Sequence, residues 1–530
     1  MTFLKNNWEK ILLAIFILTA GILRFYHINR LEFFTYDQAR DALFVKRMIV
    51  DREFRLLGTQ TSLPGMYLPP FYYYTIAPVL WLFRLNPVGI DIYSALIGVL
   101  SVPLVYFVAN EIFGRPSGIF SAGLFAVSPL VVELTRRAWN PNTLPFYILV
   151  AFYFVWRYFK KGKTRDFLLA FGFYGYCLSL HFGAWTLIPL FVLIWIYGAK
   201  RRLSRLGLLG GLGLLFFFVC PLLIFELRHN FFLTSQAKIF FFDGGHLGVK
   251  SGTNIIESFL VSLISLFAIL TSGRIFVGYQ APFELTGRLN DLFNLATPVS
   301  VVAQKPFSIS FQWWGIAILL LVIYFSFKFF KEDKLSLSLI WTWILWGILA
   351  SKMYSGNFFF FYYLFLFPFP ILFFGFLFKK LIETKKIKIF ALFVFGGILF
   401  FHLKTTTIFR KDWRNLDDLT KVANIIGNNI SAEDKFNIAT IQRDKDRWDR
   451  NSVDYRYFVE STKKKRALDW YPQDYERADY LFIVDETGEA DVLKSKIMEI
   501  ETFKPKEIID FWEAGKGIIV YKIAKNDHWD

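Results

Sequence analysis

The stretch FFTYDQARDALFVKRM, residues 33–48, sets acids and bases at the mouth of a very apolar segment. At helical spacing Asp37, Arg40 and Asp41 share one face, while Ala39, Leu43 and Val45 fall elsewhere. A carboxylate partly buried in such a place suits proton abstraction from a hydroxyl. The competing reading is a solvated amphipathic helix, capped by Thr35 and Asp37. A second stretch, ELTRRAWNPN (133–142), puts Arg136 and Arg137 beside another apolar segment, and Asn-Pro then opens a new helix. Two arginines there run against the charge bias developed below, which points to an anionic partner. GMYLPPFYYY (65–74) reads as a Pro-fixed turn before an aromatic helix, with Tyr67, Pro69 and Pro70 at a cavity rim. Asp243 and His246 in FFDGGHLG are two potential ligands, too few for a metal site. No cofactor is expected, and a divalent metal has no support. Cys177 and Cys220 both sit in apolar stretches and read as buried packing.

The elements that must position these residues are mostly membrane helices. The chain has 530 residues, 55% hydrophobic and 20% aromatic, with 64 Phe. A soluble protein of that length rarely carries so much apolar surface, and several stretches reach the roughly 17–20 apolar residues a crossing needs. ILLAIFILTAGIL (11–23) lacks a following small-residue cleavage site and reads as an uncleaved first helix. The net charge of +17 is explained without nucleic acid. Its basic residues cluster between apolar segments, as in cytoplasmic loops. RYFKKGKTR (157–165) carries five positive charges, KRRLSR (200–205) four, and KKLIETKKIK (379–388) five Lys against one Glu. KFFKEDK (328–334) has the same sign, and Lys5 and Lys10 place the N-terminus inside.

Parity then decides the rest. If FYYYTIAPVLWLF (71–83) crossed fully, RYFKKGKTR would lie outside, so 71–83 reads as interfacial or re-entrant on the outer face. The expected crossings are 10–27, 91–110, 117–134, 143–159, 167–181, 184–198, 206–225, 311–329, 335–350, 359–378 and 388–403, about eleven by this rule. Segment 255–273, between two outer ends, reads as lying on or dipping into the membrane. The expected fold is mainly α, polytopic, with outer-face juxtamembrane helices. Residues 1–404 form the membrane module, with outer loops 28–90, 135–142, 226–310 and 351–358. The tail 405–530 reads as a small soluble extracytoplasmic α/β domain. FNIATIQ, ADYLFIVDE and KGIIVYKIA are its strands; LDDLTKVANIIG and DYRYFVEST are its helices.

The order of these features resembles the protein O-mannosyltransferase and aminoarabinose-transferase superfamily, polytopic glycosyltransferases of the GT-C class (glycosyltransferase family 39-like). That family has an Asp-Glu pair in a DEARYAE-like helix of the first outer loop. YDQARDALFVKRM is similar, with Asp37 at the catalytic Asp and Arg40 at the Arg. A Pro-Pro turn before an aromatic helix is matched by Pro69 and Pro70. YSALIGVLSVPLVYFVANEIFGRPSGIFSAGLFAVSPLVVELTRR (93–137) looks like the second and third helices with their FGR..G turn. SLHFGAWTLIPL (179–190) and FYYLFLFPFPIL (361–372) also resemble family segments. Two departures stand out: the second acid is Gln38, and Asn142 stands where mannosyltransferases tend to have Asp.

The resemblance implies a sugar donor on polyprenyl phosphate and inverting transfer at the outer face of the cytoplasmic membrane. The acceptor is a protein, a lipid or a glycan. Asp37 is then the base that takes the acceptor's proton. The leaving phosphate needs positive charge, with Arg40, Arg136, Arg137, Arg228 and Lys352 as candidates and Tyr362 and Tyr363 as hydroxyl donors. His181, between two short crossings, is placed to bind sugar or tune Asp37. The Phe-rich runs 216–218 and 357–378 are candidates for a lipid-tail groove, or else face lipid and pack between helices. Three other readings compete: a lipid-linked glycan flippase, a lipid-linked glycan polymerase, and a membrane scaffold with an outer sensory domain.

Overall fold

The computed structural model describes residues 2–29, 34–61, 63, 65–201, 203–246, 254–277, 299–304, 307–355, 359–409, 413–431, 433–443, 451–504 and 506–525. Parts of the expected outer loops 28–90, 226–310 and 351–358 lie outside these residues. The chain divides into two compact units. One is helical and comprises Met1–Tyr26, Phe54–Thr75 and Ile90–Phe409. The second comprises His27–Glu53, Ile76–Gly89 and Arg410–Asp530. The division is not a single cut near residue 404. The segment that carries Asp37 belongs to the same unit as the tail.

The helical unit opens with α1 (Thr2–Phe25), continues through α4 (Val88–Phe113), and then bends by 63° between α5 (Arg115–Val127) and α6 (Pro129–Thr135). Pro129 cannot donate to a carbonyl four residues back, so the bend leaves acceptors without helical partners. Arg24, fully buried on α1, supplies the donors: Nη2 to the Phe125 carbonyl at 3.3 Å and Nη1 to that of Ala126 at 3.0 Å. Its Nε donates to the Thr135 hydroxyl at 2.9 Å. Gly98 on α4 leaves room for this guanidinium, because a Cβ there would lie 2.7 Å from Arg24 Nε and 2.6 Å from Thr135 Cβ.

Among the described residues five helices are long and apolar enough to cross a membrane, or seven if each of two bent pairs is one span. α10 (Arg205–Arg228) turns Leu206, Leu209, Phe216, Phe217 and Leu227 outward, as a lipid-facing span must. The later Phe run behaves differently. Phe360, Phe365, Phe367, Phe369, Phe373, Phe374, Phe376 and Phe378 are all buried against protein, so that run is bundle core. α3 (Phe71–Leu82) has 12 residues, about 18 Å of helix and well short of a hydrocarbon core.

Segment 255–273, expected to lie on or dip into the membrane, is a helix packed largely inside protein. α12 (Ile255–Ser272) has the length and composition of a span, and Leu266 through Leu270 have no exposed surface. It leads into β1 (Gly273–Val277), which pairs antiparallel with β3 (Phe307–Phe311) in a sheet ordered β1-β3-β2, β2 being Val299–Gln304. β3 leads into the helix Trp313–Lys328. The end of α12 and the start of that helix therefore share one end of the unit.

The second unit is built on a four-stranded sheet ordered β4-β5-β7-β6. β4 (Phe436–Ile441) and β5 (Tyr480–Asp485) are parallel, joined through the helix Val453–Lys463; β7 (Ile518–Ala524) and β6 (Glu507–Gly515) complete it antiparallel. One core gathers Tyr475, Leu481, Ile483, Ile500, Phe503 and Ile523. The sequence reading had no strand at β6. Ile508 and Ile509 are consecutive, which breaks the alternation that marks a strand, and the pairing shifts register there, between Ile508 and Asp510.

Candidate active site

Asp37 is the second residue of α2 (Tyr36–Val50), whose N-cap is Thr35. The first turn is fixed by Gln38, whose Oε1 accepts from the Thr35 N–H at 2.8 Å and the Thr35 hydroxyl at 2.9 Å. An amide oxygen thus performs a capping bond that a carboxylate would otherwise make. Asp37 keeps 29% of its side chain exposed and pairs with Arg40 Nη1 at 2.9 Å. Arg40 is buried and forks onto Asp41 through Nε at 3.0 Å and Nη2 at 2.9 Å. The three residues read together from the sequence do meet, with unequal roles. Asp41 is the buried counter-ion of Arg40, and Asp37 is the carboxylate left partly open.

Further along α2, Lys46 and Arg47 are buried although nothing in their sequence context marked them. Arg47 grips Glu460 through Nη2 at 2.7 Å and Nε at 3.2 Å, and Lys46 reaches the same carboxylate at 3.3 Å. Arg414 bridges Asp454 at 2.5 Å and Glu486 at 3.1 Å, and donates to the Phe34 carbonyl at 3.2 Å. All these groups lie within the second unit.

The other candidates belong to the helical unit, where four turns converge. They are the segments 135–143, 178–187, 239–246, and 351–355 with 359–363. The Asn140 amide donates to the Leu180 carbonyl. Trp139 lies edge-on to Phe361 at 4.7 Å, and the His181 ring is 5.2 Å from that of Tyr362. The Ser355 N–H donates to the His246 carbonyl at 3.1 Å, and Phe240 stacks on Tyr354 at 6.3 Å. His181 Nδ1 accepts from the Gly183 N–H at 2.9 Å, which leaves Nε2 as the position for a proton. Lys352 follows the helix Lys334–Ser351, and burial pushes its ammonium down to about 8.

Two arginines adjacent in sequence behave differently. Arg136 is buried and donates to the carbonyls of Leu23 at 2.6 Å and Tyr26 at 2.8 Å, closing the C-terminal end of α1. A cation at a helix C-terminus needs no external anion. Arg137 is part-exposed and pairs with Glu133 at 2.8 Å. Asn142 donates to the Arg137 carbonyl at 3.1 Å. The Tyr363 hydroxyl is 2.8 Å from that of Ser351 in the bundle interior, so it braces helices. Arg228 ends α10 on the surface, and Tyr67 sits in a bridge with Gln60.

Sequence reasoning also missed a chain of hydroxyls. Tyr93 and Tyr147 lie 3.0 Å apart, and Tyr176 donates to Thr75 at 2.9 Å. Tyrosines spread over three separate segments carry no local spacing signal. Among the described residues no group of three or more His, Cys, Asp or Glu could hold a metal.

Residues 68–225 match the family model described as dolichyl-phosphate-mannose-protein mannosyltransferase. A curated protein of Bacillus subtilis (strain 168), "Putative mannosyltransferase YkcB", is 25% identical over 138 residues, 26% of this chain. The match spans only 19% of that relative's length. Among solved structures, ArnT from Cupriavidus metallidurans bound to undecaprenyl phosphate superposes with a TM-score of 0.57 at 11% identity, covering 97% of this chain and 98% of that one. Its apo state gives 0.54 at 11% identity over 98% of both chains. The oligosaccharyltransferase of Archaeoglobus fulgidus, solved with Zn and sulfate, gives 0.51 at 13% identity, covering 90% and 68%. At such identities the likeness is one of fold. The resemblance to the GT-C class therefore rests on an ArnT-like fold over nearly the whole chain, together with the mannosyltransferase match over 68–225.

Proposed function

We propose that the protein is an integral-membrane glycosyltransferase that moves a sugar from a polyprenyl-phosphate donor to an acceptor at the outer membrane face, with inversion. The family match over 68–225 carries this reading. Its support is the shared fold with a protein solved with undecaprenyl phosphate. Asp37 is the base. It takes the acceptor hydroxyl's proton as that oxygen bonds to the anomeric carbon, and polyprenyl phosphate departs with the electrons of the broken bond. Lys352 and Arg137 are the cations assigned to phosphate, and His181 and Tyr362 are assigned to sugar. Arg40, whose charge is already shared by two carboxylates, holds the Asp37 side chain in place. The decisive assay reconstitutes the purified protein with defined polyprenyl-phosphate sugars and scores released polyprenyl phosphate. Donor translocation across the bilayer without any release would favour the flippase.

The charge pattern supports eleven crossings, with the N-terminus in the cytoplasm, 157–165, 200–205 and 379–388 inside, and 405–530 outside. α12, buried in protein, is then re-entrant, the one setting in which a membrane tolerates a segment that turns back. A reporter fused after Lys404 is expected to be active outside the cytoplasm only. Cytoplasmic activity there would overturn the map.

Lys352 gives a pH signature. Its ammonium is lowered to about 8 by burial, so the charged form that holds phosphate is lost as pH rises through that value. Donor KM is expected to climb above about pH 8, and Lys352→Arg, which stays charged, should abolish the climb. An unchanged alkaline limb in the Arg variant removes Lys352 from donor binding.

A further inference from the structure

The helix Val453–Lys463 grips α2 at both ends. At the start, Phe34 packs its ring 5.6 Å from Tyr457 and 5.7 Å from Phe458, and its carbonyl accepts from Arg414, itself paired with Asp454. Ten residues beyond Asp37, about 15 Å along the helix, Arg47 and Lys46 close on Glu460. The Glu460 side chain has no exposed surface, and those of Lys46 and Arg47 are 6% and 4% exposed. One buried carboxylate therefore faces two buried cations. Their further partners, Asp51 and Asp469, are themselves part-exposed at 28% and 44%. A forked Arg–carboxylate pair constrains direction as well as distance. A buried ionic cluster of this kind is poor evidence for extra stability and is better suited to fixing a register.

We propose that Glu460 is a positioning residue for Asp37: it locks the rotation and axial placement of α2, so the tail of the chain sets where the base stands. This rests on the reading of Asp37 as the base. It makes the tail 410–530, which shares a unit with the Asp37 segment, part of the catalytic apparatus. A base displaced by about 1 Å loses on the order of a hundredfold in rate.

The test is a double-mutant cycle on reconstituted full-length protein. Glu460→Asp keeps the charge and withdraws it by one methylene. It is expected to lower kcat about a hundredfold while donor KM holds, since only placement of the base changes. In an Asp37→Asn background the same change is expected to have no further effect, because no base remains to be misplaced. Should Glu460→Asp not fold, Arg47→Lys, which retains charge but loses the fork, is read in the same two backgrounds. Full kcat in Glu460→Asp overturns the proposal. So does an equal loss on top of Asp37→Asn, which marks a general structural role. Full activity of Asp37→Asn alone rejects the base reading, and positioning falls with it. A dead Asp37→Asn beside a fully active Glu460→Asp rejects positioning only.

Discussion

Asp37→Asn is expected to lower sugar transfer by about a hundredfold to ten-thousandfold, the usual effect of losing a positioned base. Asparagine keeps the size and one acceptor oxygen, so α2 should remain formed. Arg40 would not be stranded, because its Nε and Nη2 stay on Asp41. Donor affinity should therefore survive while turnover collapses. Asp41→Asn is expected to show the reverse pattern. It leaves an oxygen for the fork but removes the buried charge that balances the Arg40 guanidinium, and so costs stability before chemistry. Gln38→Glu should be tolerated, since a carboxylate accepts the two Thr35 bonds equally well. Transfer rates and thermal midpoints measured on the three variants decide the matter. Full transfer by Asp37→Asn with loss in a well-folded Asp41→Asn would mean that the chemistry belongs to the other carboxylate.

Arg414→Met is expected to unfold the C-terminal unit. Arg414 is buried, and Asp454 and Glu486 beside it are 1% and 0% exposed. The Tyr455 hydroxyl also donates to Glu486 at 2.8 Å. Removing the cation leaves two buried carboxylates facing each other, a change worth about 3–5 kcal/mol. That is a large part of the roughly 5–15 kcal/mol that holds a domain folded. Thermal melts in detergent and protease sensitivity of the tail read it directly. A variant that melts within a degree or two of the parent would show that the network relaxes around the loss.

The helical segments and three of the four tail strands could be read from the sequence because their signals are local. Apolar runs of crossing length, basic loops between them and alternating strands each declare themselves within twenty residues. The site was legible only in part. Asp37, Arg40 and Asp41 were found together because one helical turn joins them. The Glu460 that Lys46 and Arg47 share lies more than four hundred positions away, so no spacing pointed to it. Arg136 looked like an anion ligand because its charge stood on the wrong side of the membrane rule. Two of its bonds go to the Leu23 carbonyl of α1 and the Tyr26 carbonyl just past it, a placement no sequence displays. β6 failed for a similar reason, since a bulge hides its period.

The acceptors of Arg24 at Ala126 and Phe125 lie 102 and 101 residues downstream of it. At the ribosome's pace of about 5–20 residues per second, the first helix waits several seconds before those carbonyls exist. Until then its guanidinium reaches only the Ala20 carbonyl of its own helix, at 3.4 Å, and its other donors must be hydrated. We expect the first helix to be inserted shallowly and to settle only when the bent pair α5–α6 arrives. That order of biogenesis would be visible as a late change in the accessibility of a cysteine placed at position 25.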